Sequence, residues 1–247
     1  MNKVKCDEAS RRYTFRKVLG ITSVVFLILV SIASSVPFAD IPNSSSNNSS
    51  ILNKYDEAIK GYDKAIESNP HNSAAWNNKG LALDHLNKLD EAIIAYDKAI
   101  ELNSHNSISW DGKGIALGKL GKSDEAIAAF DKAIEINSLD SMAWNGKGNA
   151  LIILNRYNEA IKAYDKAIKI NPHNSKAWYN KGIALTKLNK FDETIKAYDK
   201  AIKINPHDSK AWYKKGNALD DLGKSDEAIK AYAKAIEIDP QLRSLAQ

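Results

Sequence analysis

Two short strings and four histidines are the residues whose types could support phosphate or metal chemistry. Ala116 to Ser123 reads ALGKLGKS, and Ala218 to Ser225 reads ALDDLGKS. Glycine, lysine and serine at this spacing cradle phosphates when a strand leads into a glycine-rich turn. Here both strings follow a helical pattern instead, and Ala116 and Ala218 belong to a column of small residues. Nucleotide binding is therefore not expected. His71, His105, His173 and His207 recur at corresponding turns. A shared ion needs bonds of about 2 Å, whereas packed helices stand about 8–10 Å apart, so histidines of different units should not share a metal. The chain contains no H-E-x-x-H, G-x-S-x-G or EF-hand string. Cys6 is the single cysteine, which excludes an intrachain disulfide and lies in no nucleophile motif. No catalytic residue, metal or cofactor is assigned, and the chain is read as a non-enzyme.

What the sequence does carry is a ruler. All five tryptophans, Trp76, Trp110, Trp144, Trp178 and Trp212, stand 34 residues apart. A fixed period of this length marks a repeat architecture. Four residues after each comes Gly80, Gly114, Gly148, Gly182 or Gly216. Then follow Ala82, Ala116, Ala150, Ala184 and Ala218, with Leu83, Leu117, Leu151, Leu185 and Leu219 beside them. Twenty residues after each tryptophan stands an aromatic: Tyr96, Phe130, Tyr164, Tyr198 or Tyr232. Three further on are Ala99, Ala133, Ala167, Ala201 and Ala235.

Each unit reads as two helices. The first carries its tryptophan, glycine and leucine three or four residues apart on one face. Asn72, Asn106, Asp140, Asn174 and Asp208 stand where N-cap side chains accept backbone N–H bonds. Asn87, Gly121, Asn155, Asn189 and Gly223 stand where the helix should stop in a left-handed residue. The second helix opens with acids such as Asp90-Glu91, favourable at the positive helix end, and closes near Ser104, Ser138, Pro172, Pro206 or Pro240. One hairpin cannot bury its apolar stripe alone, so neighbours must stack.

The pattern resembles the tetratricopeptide repeat (TPR) family. AWYNKGIALTKLNKFDETIKAYDKAIKINP follows its signature over a whole unit. Full units span 73–106, 107–140, 141–174, 175–208 and 209–242, with a half repeat at 52–72 and a tail at 243–247. The sequence departs at Lys79, Lys113, Lys147, Lys181 and Lys215, where the family usually has leucine, and at Thr194, where it has a small residue. The leading half unit keeps Tyr55, Tyr62 and Ala65 but lacks a first helix of the usual kind, and no closing polar helix follows Pro240. The resemblance implies an all-α, right-handed α-solenoid whose first helices line a concave groove for a peptide or partner helix. Carried over by position, the groove wall holds Asn77, Asn78, Asp111, Asn145, Asn149, Tyr179, Asn180, Tyr213, Lys214 and Asn217. Asparagine and tyrosine suit such a wall, because they hydrogen-bond peptide groups and offer flat contact area. The subfamily that grips a terminal carboxylate uses lysine four residues before an asparagine. Here Asn145 or Tyr213 precedes Asn149 or Asn217, so that mode is disfavoured. Lys176, Lys187, Lys210 and Lys214 would instead draw an acidic segment. Gly112, Gly114 and Gly118 crowd one helix and predict that the second full unit is the softest.

Ahead of the repeats lies an expected anchor. Val18 to Val36 (VLGITSVVFLILVSIASSV) has no charge and is long enough to cross a bilayer as a helix. Lys3, Lys5, Arg11, Arg12, Arg16 and Lys17 precede it, and the next basic residue after it is Lys54. This asymmetry predicts a cytoplasmic tail at 1–17, a single-pass transmembrane helix at 18–36 and repeats outside the cytoplasm. A cleaved signal peptide, and hence secretion, is the alternative. Residues 37–51 read as a Ser/Asn-rich disordered linker, and Asn43, Asn47 and Asn48 are glycosylation sequons.

Charge follows the same frame. The net charge is +5 overall, but it is −2 in each of the first two full units and +3 in each of the next two. No strongly basic stripe marks nucleic-acid binding. The expected partner is a protein or peptide held by a membrane-anchored scaffold. The alternatives are a self-assembling structural protein, joined as a homo-oligomer through bare array ends, and a non-catalytic accessory subunit of a surface enzyme complex.

Overall fold

The computed structural model of the chain describes residues 45–246, with side chains from 52 to 243. The expected tail (1–17), anchor (18–36) and Asn43 lie outside the described residues, as do the side chains of Asn47 and Asn48. Among the described residues there are eleven α-helices and no strand. They are α1 (Ser45–Ser68), α2 (Ser73–His85), α3 (Leu89–Leu102), α4 (Ser107–Lys119), α5 (Ser123–Ile136), α6 (Ser141–Ile153), α7 (Tyr157–Ile170), α8 (Ser175–Lys187), α9 (Phe191–Ile204), α10 (Ser209–Asp221) and α11 (Ser225–Ile238). A 3₁₀ segment, Pro240–Ala246, closes the chain. No helix among the described residues is long and apolar enough to cross a membrane. The fold is of the all-helical, TPR-like solenoid class.

Helix starts and stops follow the local chemistry. The side chains of Asn72, Asn174 and Asp208 accept from the N–H of Ala75, Ala177 and Ala211. Asn106 accepts from Ile108, and Asp140 from both Met142 and Ala143. At the other end Asn87, Asn155 and Asn189 have φ near +58°, and Gly121 and Gly223 near +80°. The N–H of Lys88, Arg156 and Lys190 then returns to the carbonyl of Leu83, Leu151 and Leu185, the closure of a Schellman turn.

One expectation is corrected at the front. Residues 45–51, assigned to the disordered linker, belong to α1. Between Ser45 and Lys60 there is no proline or glycine to interrupt the helix. Once the EAIKGYDKAI segment is helical, each further residue adds a hydrogen bond without a new nucleation cost.

The chain forms two compact units, 37–190 and 191–247, the first 36 residues aside. In the first, α2/α3, α4/α5 and α6/α7 are hairpins, and α1/α2, α3/α4, α5/α6 and α7/α8 pack as successive neighbours. The first helices of successive hairpins also meet: α2 with α4, α4 with α6, α6 with α8. They therefore lie side by side and present one continuous face. In the second unit, α9 packs on α10, α10 on α11, and the 3₁₀ segment lies against α11.

Packing explains the glycine and aromatic columns together. Tyr96, Phe130, Tyr164 and Tyr198 are buried to 2% exposure or less. A Cβ on Gly80 would stand 2.8 Å from the Tyr96 ring, and one on Gly112, in the next unit, 2.5 Å from the same ring. Gly114 and Gly146 flank Phe130 in the same way. The aromatic is thus held between two helix backbones that only glycine lets so close.

Candidate functional site

A second repeating device ties each unit to the one before it. The indole N–H of Trp76, Trp110, Trp144, Trp178 and Trp212 donates to the carbonyl of Pro70, Ser104, Ser138, Pro172 and Pro206 at 3.0–3.2 Å. Three residues on, the lysines that replace the usual leucine lie over these rings, 5.5–5.8 Å from the centroids. Each also pairs with an aspartate sixteen residues earlier: Lys79 with Asp63, Lys113 with Asp97, Lys181 with Asp165 and Lys215 with Asp199, all at 2.6 Å, and Lys147 with Asp131. The same ammonium faces the tryptophan ring and reaches the aspartate, so the departure from the family pattern still joins the first helix to the helix before it. Sequence reasoning missed this triad. Its signal was the aspartate column that follows Tyr62, Tyr96, Phe130, Tyr164 and Tyr198, one helix back from each lysine.

The first-helix face carries the residues expected on the groove wall, and many of them already bond one helix to another. Asn77 is buried; its Oδ1 accepts from Ser109 Oγ at 2.9 Å, and its amide lies 3.3 Å from the exposed Asn78 Oδ1. Asn149 Oδ1 accepts from Tyr164 Oη and from Asn180 Nδ2, both at 2.8 Å. Asn217 Oδ1 accepts from Tyr232 Oη at 2.9 Å, and the Tyr213 ring tilts against Tyr232 with centroids 5.3 Å apart. Tyr179 and Lys214 are half-buried on α8 and α10. These groups hold the helices in place, and only part of each side chain is left to face a ligand.

Asp111 and Asn145 are different. Both are half-buried, and the Oδ1 of each is buried without a hydrogen-bond partner. The reason is positional. Asn77 is satisfied by Ser109, two residues before Asp111 on the next first helix. The counterparts of Ser109 are Ala143 and Ala177, both fully buried and unable to donate. Burial, and secondly the charge of Asp140, pushes the Asp111 carboxyl up to about 7. Burial also pushes the Tyr96 hydroxyl up, helped by Asp84 and then Asp111. Asp84, on α2, is 8% exposed and accepts from Lys119 Nζ of α4, itself half-buried, at 2.7 Å; this pair was not foreseen.

Apolar side chains stand open on the same face. Leu81 of α2 is 48% exposed, Ile108 of α4 66%, Met142 of α6 65% and Ile153 of α6 39%. Ile108, Asp111 and Ile115 are three or four apart on α4, and Met142, Asn145 and Asn149 occupy the matching places on α6, so each set shares one side of its helix. Sequence reasoning named the polar members and overlooked the apolar ones. Their exposure could have been read from their place in the 34-residue frame. Among the described residues, no three His, Cys, Asp or Glu side chains are grouped as a metal set requires.

Stacked two-helix hairpins in a 34-residue frame define a helical-repeat protein. Models described as tetratricopeptide repeat match residues 52–107, 109–138, 141–174, 175–208 and 209–242. The chain belongs to the tetratricopeptide repeat family. A search of curated proteins gives no match. Among solved structures, the chain is similar to YrrB, described as a TPR protein with an unusual peptide-binding site. The identity is 25% and the TM-score 0.63, over 76% of this chain and 96% of YrrB. It is also similar to MamA, at 26% identity and TM-score 0.62, over 68% of this chain and 92% of that one. A MamA from Desulfovibrio magneticus is 21% identical with a TM-score of 0.63, over 68% and 96% of the two chains, and shares the fold.

Proposed function

We propose that this protein is a membrane-anchored, non-catalytic scaffold that holds a peptide or protein segment on its first-helix face. The observation that carries the reading is the exposure of Leu81, Ile108 and Met142 beside the bonded polar seam of that face. Apolar side chains left open together on a packed face mark an interaction site. The peptide-binding site of YrrB, a relative of the same fold, supports the reading. Residues 18–36 supply the anchor and the basic tail sets its orientation, which displays the repeats outside the cytoplasm.

The site test places a photo-crosslinking residue at Asn145 or Asn149, and as a control at Ile94, which is exposed on the second helix α3. Crosslinks formed with a bound segment at the first two positions and not at Ile94 are expected. The reverse pattern would move the site to the second helices. The anchor is tested by protease treatment of intact cells carrying a C-terminal tag. Loss of the tag is expected; protection that persists after the outer layers are opened would place the repeats in the cytoplasm.

The second reading is self-assembly through the last hairpin. Tyr232 is less buried than the other aromatics of its column, and Ile229 is 40% exposed. Mass that rises with concentration in the absence of any partner would favour it.

A further inference from the structure

Charge on the first-helix face of 73–153 can be followed residue by residue. Lys79, Lys113 and Lys147 are held by Asp63, Asp97 and Asp131, and Lys119 by Asp84. Asp140 is committed to the N–H groups of Met142 and Ala143 at the start of α6. His85 is stacked on Tyr55, with ring centroids 4.6 Å apart. Asp111 alone among the charged groups of this face has neither hydrogen bond nor ion pair. It sits one turn from Ile108 on the same side of α4, and Met142 holds the place on α6 that Ile108 holds on α4. Open apolar side chains on the same first-helix face as one uncompensated carboxyl are complementary to a cation carried on an apolar segment.

We infer that this face takes a partner segment with a lysine or arginine flanked by aliphatic side chains, the cation meeting Asp111 and the aliphatic groups covering Leu81, Ile108 and Met142. The inference rests on the peptide-holding reading above and gives it a chemistry. It also reverses the polarity expected from the lysines of the later repeats. The early units are net −2 each, so the approach of a cationic segment is favoured over distance as well as at contact. The carboxyl is half-buried, where a cation gains more than it would at an open surface. Arginine has the stronger fit, because its fork donates two parallel bonds to one carboxylate.

The test pans a random twelve-residue peptide library against the full chain in mild detergent. Recovered peptides are then measured by fluorescence anisotropy against wild type, Asp111→Asn, the Ile108→Ser/Met142→Ser double variant and Ile94→Ser as the second-helix control. Expected are peptides enriched in Lys or Arg between aliphatic residues. Asp111→Asn should weaken them roughly tenfold, the scale of one charge-assisted bond, while leaving a Gln-for-Lys version of the same peptide unchanged. The double apolar variant should weaken both versions, and Ile94→Ser neither. Enrichment in Asp or Glu, or a cation preference that survives Asp111→Asn, would overturn the inference while leaving the peptide-holding reading intact. Peptides that bind all variants equally, or a library that yields no binder, would remove that reading and the inference with it. Displacement of the peptides by unlabelled full chain would make a second copy the occupant and overturn the inference as well.

Discussion

Replacing Gly112 with alanine sets two effects against each other. In an open helix interior, alanine is favoured over glycine by roughly 0.5–1 kcal/mol, because glycine loses more backbone freedom on folding. The new Cβ would, however, lie 2.5 Å from Tyr96 Cζ, 2.6 Å from Cε1 and 2.8 Å from Oη. That ring is 2% exposed and packs against Leu83, Ala92, Ala95 and Ala116, so it has nowhere to move. Forcing a methyl into such a site costs about 1–3 kcal/mol. The clash wins, and Gly112→Ala should lower stability by about 1–2 kcal/mol. Gly61 is the control: it is in α1, is exposed, and a Cβ there meets nothing within 4 Å. Gly61→Ala should stabilise by roughly 0.5–1 kcal/mol. Repeat arrays open in parts, so native-state amide exchange across α3 and α4 should accompany urea unfolding. Tyr96→Leu should relieve the clash, and the pair should couple by at least about 0.5 kcal/mol. If Gly112→Ala stabilised as much as Gly61→Ala does, the glycine column would not exist to seat the aromatic, and the packing argument would fail.

Three further outcomes follow from the same geometry. Ala177→Ser should supply Asn145 Oδ1 with the donor that Ser109 gives Asn77 and raise stability by about 1 kcal/mol in urea titration; no gain would show that Asn145 is satisfied in another way. Lys147→Leu, the family's usual residue, should change stability by less than about 1 kcal/mol, because Asp131 is 50% exposed and such pairs contribute little; a large loss would give the lysine–aspartate column more structural weight than packing does. Asp111 has a raised carboxyl pKa in the folded state, about 7, so its contribution is fully present below the unfolded pKa near 4 and is lost as pH rises from about 4 to about 7. Measured against Asp111→Asn, wild type should lose stability over that window by no more than about 4 kcal/mol, and by less where solvent screens the carboxyl; parallel pH profiles would show that the carboxyl is not perturbed.

The fold was legible because its determinants repeat. Trp76 and its counterparts fix the frame, and the frame alone places Asn72 as an N-cap and Asn87 as the left-handed stop, as the structure has them. Repetition averages out local ambiguity: one glycine in a helix is weak evidence, whereas Gly80, Gly114, Gly148 and Gly216, each against an aromatic ring, form a column with one cause. The start of α1 was misplaced because it precedes the frame, where only the composition of residues 37–51 was available and a Ser/Asn-rich segment reads as linker even when a following helix extends into it. The expected softness of the second unit rests on the cost of Gly112, Gly114 and Gly118, two of which seat aromatic rings. The rings seated by Gly112 and Gly114, Tyr96 and Phe130, bring burial that a propensity argument does not count.

The face was less legible for the opposite reason: what distinguishes it is where the columns break. A position held by every repeat serves the stack, as Lys147 does by covering Trp144 and pairing with Asp131. A position that changes from repeat to repeat is not fixed by the shared frame, and what it bonds or leaves open differs from one repeat to the next. The place of Ser109 becomes Ala143 and then Ala177, and this alone leaves Asp111 and Asn145 without a donor. The place of Ile108 becomes Met142, Lys176 and Lys210, so the residue type at this place turns from apolar to basic along the sequence. Polar residue type pointed to Asn77 and Asn149, and both prove to be bonded between helices. Polarity also pointed to Asp111, whose Oδ1 has no partner, whereas Ile108 and Met142 are picked out only by their exposure at a place that changes along the columns.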